Sequence, residues 1–203
     1  MRNLEFKARV SDLHAALRRG RVSGGELWGD LRQTDTYFAT PTGRLKLRET
    51  AGFPAELVYY DRDESDPNRP SDYEIARSPD ADALRSVLTR ALGVLTVVRK
   101  RRTLVHVESA LLGNSDSGSD PTASPATRLS RVHFDNVEQL GTFVEIEVPV
   151  PDGESDAAPA EDLEALIRIL GLSHADGITS SYLDLMLSKD PQGADVSSLN
   201  GLI

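Results

Sequence analysis

Apolar and polar residues alternate along several stretches of the chain, and this period of two predicts β-strands with one buried face. The stretch "NLEFKARV" near the N-terminus is the first of them. The stretches "DTYFAT" and "RLKLRET" flank the turn residues "PTG" and predict a β-hairpin. Further strands are predicted at "AELVYYDR", "YEIA", "LTVVRKRRTLVHVES", "TRLSRVHFDNVE" and "TFVEIEVPV".

Helical patterns interrupt the strands. "SDLHAALRRG" predicts a short helix capped by Ser11 and ended by Gly20, and "SPDADALRSVLTRALG" predicts a helix with Ser78 as N-cap and Pro79 at its first position. "EDLEALIRILG" and "SSYLDLMLS" predict two more, whereas "SGGELWG" has the glycines of a turn. Many strands with short connections favour an α+β fold built on a large curved antiparallel sheet or barrel.

The length of 203 residues favours one domain, which we place at residues 1–187. A stretch rich in Ser, Gly, Asp and Pro at about 112–128 predicts a flexible hairpin loop. Residues 188–203 lack periodicity, and we expect this tail to fray.

Composition narrows the function classes. The chain has 23 Lys and Arg against 32 Asp and Glu, and this net charge of −9 argues against nucleic acid and anionic membranes as partners. The absence of Cys excludes disulfides, thiolate metal sites and cysteine nucleophiles. No apolar run approaches the about 18 residues of a membrane span, and the N-terminus is unlike a signal peptide, so we expect a cytoplasmic protein.

The position of the cations within the strands departs from the average charge. Side chains two residues apart share a strand face, and four such faces are dominated by Lys and Arg, while carboxylates cluster in the first and last strands. One wet sheet face would explain any single strand. Repeated over six strands, the pattern favours an enclosed cationic interior.

Such an interior needs a polyanion, because unpaired buried cations are costly. A di- or triphosphate is the natural guest, since Arg grips its oxygens with two hydrogen bonds and Lys adds point charge. The carboxylates would then serve as ligands for Mg²⁺ or Mn²⁺, which bridge carboxylate and phosphate oxygens.

At these strands the chain resembles the CYTH proteins, or triphosphate tunnel metalloenzymes, and its motifs are similar to those of the class IV adenylate cyclase-like subgroup. The family's E-x-E-x-K strand is matched by "NLEFK", with Asn3 in place of the first Glu. The resemblance continues in family order through "QTDTYF", "GRLKLRE", "LVYYDR", "SDY", "VVRKRR", "RVHFDNVEQLGTFVEIE" and "SSYLDLM".

The resemblance implies a closed eight-stranded antiparallel β-barrel with peripheral helices, a tunnel that binds a triphosphate together with Mg²⁺ or Mn²⁺. It implies metal binding by Glu5, Glu145 and Glu147, with Asn3 and Asp135 as additional candidates, and catalytic roles for Lys7, Arg62 and Glu147. The phosphate-binding side chains it implies are Lys7, Arg9, Arg44, Lys46, Arg48, Arg62, Lys100, Arg102 and Arg131.

Three functions stay open at this point. A cyclase would convert ATP to cyclic AMP and pyrophosphate, and a triphosphatase would hydrolyse tripolyphosphate, thiamine triphosphate or a nucleoside triphosphate. A binding module would hold nucleotide or polyphosphate without turnover, and Asn3 favours it slightly because it brings no charge to a second metal. The partner is a small-molecule triphosphate in each case, and the chain is a monomer or a homodimer.

Other candidate sites are weak. The four His lack zinc-binding spacing, although His133 shares a face with Arg131 and is placed to tune a metal or water. Trp28 is expected to be a packing residue rather than a base-stacking platform. Tyr182 is expected in the core, with the tunnel mouth as the alternative.

Overall fold

The computed structural model describes residues 2–22, 24–62, 71–112 and 128–189. Apart from their first or last residues, the loop predicted at 112–128 and the tail predicted at 188–203 lie outside the described residues.

Eight strands form one antiparallel sheet in the described part of the chain. Their hydrogen-bonded order is β1-β5-β4-β3-β2-β6-β7-β8, and β8 pairs again with β1. The strands are β1 (Arg2–Arg9), β2 (Glu26–Phe38), β3 (Arg44–Thr50), β4 (Ala55–Arg62), β5 (Ser71–Ser78), β6 (Val94–Glu108), β7 (Leu129–Val137) and β8 (Gly141–Val150).

The seam between β1 and β5 differs from the other strand pairs. In the described residues it consists of two pairs, Arg2 with Asp72 and Asn3 with Ser71, whereas β1 and β8 pair over eight. The expected α+β fold with eight antiparallel strands is therefore confirmed. The expected closed barrel needs correction, because beyond this short seam the sheet is a strongly curled half-barrel.

Four α-helices lie in the described ranges: α1 (Leu13–Val22), α2 (Ala81–Leu92), α3 (Ala157–Ile169) and α4 (Tyr182–Lys189). The predicted caps were wrong at two of them. Asp12, not Ser11, accepts the Ala15 amide hydrogen bond, at 2.8 Å. Asp80, not Ser78, caps α2 by accepting from the Ala83 amide at 2.9 Å, so Pro79 precedes the helix. In both cases the carboxylate sits three residues before the amide that it caps.

The strand β2 begins earlier than predicted. The turn expected at "SGGELWG" ends at Gly25, and the strand starts at Glu26 with a bulge between Leu27 and Gly29. A Cβ at Gly25 would lie 2.6 Å from the carbonyl oxygen of Gly20, so this glycine permits close packing of strand against helix rather than the turn itself.

The apolar residues form cores on both sides of the sheet. Outside, α1 and α3 cover the outer faces of β1, β7 and β8, and buried side chains such as Leu4, Phe134, Ile146 and Leu166 fill the space between them. Inside the curl, α4 places Tyr182 against Phe143, with ring centroids 5.2 Å apart. The helix α4 therefore packs into one end of the curled sheet.

Candidate functional site

The concave side of the sheet encloses a cavity of about 300 Å³. Cross-strand pairing orders its wall. Glu147 of β8 is paired with Glu5 of β1 on one side and with Arg131 of β7 on the other, and Arg131 is paired with His106 of β6. These four residues form the rim of the cavity at the end away from α4. The Lys and Arg side chains that line the cavity are Lys7, Lys46, Arg48, Arg77, Lys100, Arg102 and Arg131, and the Glu side chains are Glu5, Glu56, Glu145 and Glu147.

A buried carboxylate, Asp35, gathers the cations of one wall. It accepts two hydrogen bonds from Arg48, at 2.8 and 3.0 Å, and one from Lys46 at 3.2 Å. The Lys100 ammonium lies 3.6 Å from the same carboxylate. Burial alone would raise the pKa of Asp35, but the charges of Arg48, Lys46 and Lys100 hold it well below its usual range.

A second buried network adjoins the first, since the Lys100 ammonium also lies 3.9 Å from Asp135. Arg102 donates two hydrogen bonds to Asp135, at 2.7 and 2.6 Å, and a third to Glu145 at 2.8 Å. The Tyr182 hydroxyl donates to Asp135 at 2.9 Å, and Lys7 pairs with Glu145 at 3.1 Å. Burial opposes the charge of Asp135, yet Arg102 and Lys100 lower its pKa to about 2.

Three side chains form the one group in the described residues with the geometry to hold a metal ion. Ligand atoms of His133, Glu145 and Glu147 all lie within 4.8 Å of one another. The His133 Nδ1 lies 3.5 Å from an oxygen of each Glu and has no hydrogen-bond partner, although it is buried. Burial and the nearby charge of Arg102 lower the pKa of His133, so its imidazole is neutral near pH 7.

Asn3 stands beside this group and is 3% exposed. With the amide turned to suit its neighbours, its oxygen accepts from Arg131 at 3.0 Å. Arg131 in turn pairs with Glu147 at 2.9 Å. In that orientation Asn3 supports the Arg131–Glu147 pair.

Two lysines of the cavity have unusually low pKa values. Burial, followed by the charge of Arg48, lowers the pKa of Lys46 to about 8. Burial, followed by the charge of Arg102, lowers the pKa of Lys100 to about 7. Even beside the Asp35 carboxylate, both therefore lose their charge at a lower pH than an ordinary lysine.

The structure brings most of the expected site residues together and leaves four out. Arg9 lies over the Phe143 ring, 4.6 Å from its centroid, and donates to the Leu140 carbonyl. Arg44 donates to Asp184 of α4 at 3.1 Å, outside the cavity lining. Asp135 is fully buried behind the cavity wall, where it accepts a hydrogen bond from Arg102. The side chain of Arg62 lies outside the described residues.

Sequence reasoning missed Asp35 as the counter-ion of the cations. The signal was available, because Gln33, Asp35 and Tyr37 alternate in "QTDTYF" and so share the cavity face. Tyr182 was expected in the core, and the structure places it both in the core and on the cavity wall. No sequence pattern shows that α4 would carry it there.

Comparisons with known proteins agree with this architecture. A family model described as the CYTH domain matches residues 1–182. The chain shares 20% identity and a TM-score of 0.71 with the PH1012 protein of Pyrococcus horikoshii, over 90% of this chain and 98% of that one. No curated protein sequence matches the chain.

Two further solved structures carry functional descriptions. A candidate adenylate cyclase from Vibrio parahaemolyticus has 20% identity and a TM-score of 0.66, over 91% of this chain and 97% of that one. A candidate adenylyl cyclase from Hippeastrum, described as having a dominant triphosphatase activity, has 14% identity and a TM-score of 0.59, over 92% and 96%. At these identities the likeness establishes the fold. None of the described helices is long and apolar enough to cross a membrane.

Proposed function

Because the chain belongs to the CYTH domain family, we propose that it is a divalent-metal-dependent enzyme that acts on a triphosphate held in the cavity. The observation that carries the proposal is the meeting of two chemistries in one cavity of about 300 Å³. One wall presents Lys46, Arg48 and Lys100, and the group formed by His133, Glu145 and Glu147 lies on the wall next to the rim.

The balance of charge supports a metal together with a polyanion. The lysines and arginines that line the cavity only slightly outnumber its glutamates and the two aspartates behind its walls. A bare triphosphate would bring several negative charges close to Glu145 and Glu147. One or two divalent cations at those carboxylates would restore the balance, and the phosphate oxygens would complete their coordination.

The donor atoms present fit Mg²⁺ or Mn²⁺. Glu145 and Glu147 supply hard carboxylate oxygens, which both ions prefer, and the buried Nδ1 of His133 has no hydrogen-bond partner in the structure. Glu5 lies directly across from Glu147 and supplies a further carboxylate. When bound, such an ion would neutralise phosphate charge and make an attacking oxygen more acidic.

The other residues have roles that do not require the ion. Lys46, Arg48 and Lys100 would bind the phosphate oxygens furthest from the rim. In the cyclase reaction these belong to the leaving pyrophosphate, whose charge the cations absorb, and in the triphosphatase reaction they belong to the phosphoryl group under attack. Lys7 and Arg102 orient Glu145 through their contacts at 3.1 and 2.8 Å. Arg131 does the same for Glu147.

Two reactions are compatible with this arrangement. In a class IV adenylate cyclase-like reaction, the ribose 3′-hydroxyl of ATP attacks the α-phosphorus, with cyclic AMP and pyrophosphate as products. In a triphosphatase reaction, water attacks the terminal phosphorus of tripolyphosphate, thiamine triphosphate or a nucleoside triphosphate. Both would use the same cations and carboxylates and differ in the phosphorus that faces the nucleophile.

The test is a substrate panel with Mg²⁺ or Mn²⁺ at slightly alkaline pH. Phosphate, pyrophosphate and cyclic nucleotide are measured for tripolyphosphate, thiamine triphosphate, ATP and GTP. We expect turnover of at least one substrate, lost on addition of a chelator. Cyclic AMP from ATP identifies the cyclase, and phosphate identifies the triphosphatase.

The matched variants are Glu147→Gln at the rim and Glu74→Gln on the outer face of β5. Glu147→Gln keeps the shape of the side chain but removes its charge, and we expect kcat to fall about a hundredfold or more. Glu74 is exposed, and its variant should keep wild-type turnover. Tight tripolyphosphate binding with no turnover under either metal would refute the enzyme and favour a binding module.

A further inference from the structure

An exposed aromatic cluster stands at the rim of the cavity. The Trp28 ring stacks on Phe53, with centroids 6.2 Å apart and planes at 30°, and packs against His106 at 5.8 Å. Trp28 and Phe53 are 52% and 53% exposed. Trp28 does pack against neighbouring rings, as expected, but about half of its surface is exposed rather than buried in a core. Large aromatic side chains held together in water are unusual and typically mark a binding surface.

The backbone fixes this cluster in place. The bulge between Leu27 and Gly29 sets Trp28 outside the regular pairing of β2 with β6. Phe53 lies in the β3–β4 turn, where its amide donates to the Thr50 carbonyl at 3.0 Å. The neighbouring Ala51 amide donates to the Arg32 carbonyl of β2 at 3.1 Å. The β2 bulge therefore fixes the position of Trp28, and the hydrogen-bonded β3–β4 turn fixes that of Phe53.

The cluster borders the ionic part of the cavity directly. His106 lies opposite Arg131 on β7, and Arg131 lies opposite Glu147 on β8. Apolar side chains lead inward from the rings, since Leu31 and Leu104 line the cavity among its charged groups. A ligand that extends from the cavity past Arg131 and His106 would meet the Trp28 ring.

We propose that Trp28 and Phe53 form a stacking platform for a flat heteroaromatic ring that the triphosphate carries. The inference rests on the proposed function and narrows its substrates to triphosphates that carry such a ring, a nucleoside triphosphate or thiamine triphosphate, with the triphosphate inside and the ring outside. An inorganic polyphosphate would gain nothing from exposed rings or from Leu31 and Leu104. The cavity also lies at the small end of the range for ligand sites, so a nucleoside part has its place at the rim.

The first test is fluorescence, because Trp28 is the only tryptophan in the chain. ATP, GTP and tripolyphosphate are titrated first without metal, where binding is seen without turnover, and then with Mg²⁺, where the initial signal is read before turnover. We expect ATP or GTP to quench or shift the Trp28 emission as it binds, and tripolyphosphate to bind with little change. The variant Phe53→Leu keeps the fluorophore and should reduce the nucleotide effect. Nucleotide binding that leaves the Trp28 emission unchanged would overturn the platform.

The second test is the selectivity between substrates. Because a stacked base loses a favourable contact when the ring is removed, Trp28→Ala should raise KM for ATP or GTP about tenfold. Tripolyphosphate kinetics should stay within about twofold of wild type. Tyr59→Leu, which removes an exposed ring elsewhere on the sheet, is the control and should change neither.

The outcomes separate the two proposals. If neither nucleotide nor tripolyphosphate binds, both proposals fall. If tripolyphosphate is cleaved while nucleotides bind no more tightly in wild type than in Trp28→Ala, the proposed function stands and the platform falls. If nucleotide binding quenches Trp28 but no substrate is cleaved, the platform stands and the enzyme falls.

Discussion

At the scale of the residue, Asp35 organises the deepest cations of the cavity. It is 1% exposed and binds Arg48, Lys46 and Lys100 through one carboxylate. Three cations this close would repel one another in a buried site, and Asp35 compensates them when no anion is bound. A triphosphate would then add charge to a site that is already assembled.

The substitution Asp35→Asn tests this role. Removing one partner of a buried ion pair destabilises a protein by about 3–5 kcal/mol, and we expect a loss of that size in urea unfolding. Added tripolyphosphate should stabilise the variant more than wild type, because the anion replaces the missing carboxylate. The exposed pair of Asp30 with Arg101 is the control, and Asp30→Asn should leave unfolding almost unchanged. Equal stabilisation of variant and wild type by tripolyphosphate would contradict this role of Asp35.

The low pKa values of two lysines predict a pH dependence of binding. Above pH 8 Lys46 and Lys100 are largely neutral in the free protein, since their pKa values are about 8 and about 7. A bound polyanion favours the charged lysines, so binding takes up protons. Affinity for tripolyphosphate should fall about tenfold per pH unit for each lysine that recharges. Calorimetry in two buffers of different ionisation enthalpy measures the uptake.

Stability should move in the opposite direction over the same range. In the unfolded chain these lysines return to a pKa near 10.5, so between about pH 8 and 10.5 the unfolded state holds more protons. Their contribution to the free energy of unfolding therefore rises with pH. Lys46→Arg, which stays charged, should weaken the pH dependence of binding. Affinity that is constant from pH 7 to 9.5 would refute the prediction.

At the scale of the element, α4 fills one end of the curled sheet. Tyr182 reaches Asp135, and its ring lies 4.5 Å from the Lys7 ammonium. Asp184 accepts from Arg44, which turns that arginine toward the helix. Arg44, which was expected to bind phosphate, therefore helps to attach α4 to the sheet.

The pair Arg44→Gln and Arg48→Gln separates attachment from binding. Both arginines lie on β3, but Arg48 lines the cavity and Arg44 does not. Losing a charged hydrogen bond to phosphate should raise KM for the triphosphate at least about tenfold in Arg48→Gln. Arg44→Gln should keep the wild-type KM and show a slightly lower Tm. A similar rise in KM for both would return Arg44 to the phosphate site.

The sequence predicted the strand faces well because the period of two is a local property. It placed Lys7, Lys46, Lys100, Glu145 and Glu147 on faces that do line one cavity. Arg9 and Arg44 have the same local pattern, but each lies beyond the cavity and meets Leu140 or Asp184. That difference depends on where α4 and the strand ends lie in space. The start of β2 was missed because glycines and a bulge obscure the alternation there.

At the scale of the whole molecule, the total charge is negative, whereas cationic side chains are in slight excess in the cavity. The net charge is −9, while lysines and arginines line the enclosed side of the sheet. A small polyanion can enter and displace water from the cations. A long one meets an acidic exterior first and is repelled.

Thermal unfolding distinguishes an enclosed site that binds a small polyanion from an outer surface that binds phosphate of any length. Tripolyphosphate at about a hundred times its dissociation constant adds about 2.7 kcal/mol of stability, which should raise Tm by about 5–10 °C. Duplex DNA at the same phosphate concentration should leave Tm unchanged. An equal rise with DNA would show that the outer surface binds phosphate, and would contradict the enclosed site.

The short seam between β1 and β5 has a consequence for self-association. Where two strands of a sheet part, their backbone amides and carbonyls are a template for a strand from another copy. Beyond the two described pairs of this seam, β1 continues through the charged residues Glu5 and Lys7. A second copy would have to bring the same charges against them. The side chains proposed to hold metal and phosphate would thus also protect the parted strands from aggregation. Variants that neutralise Glu5 or Lys7 should therefore be checked for oligomers before a loss of activity is attributed to the reaction.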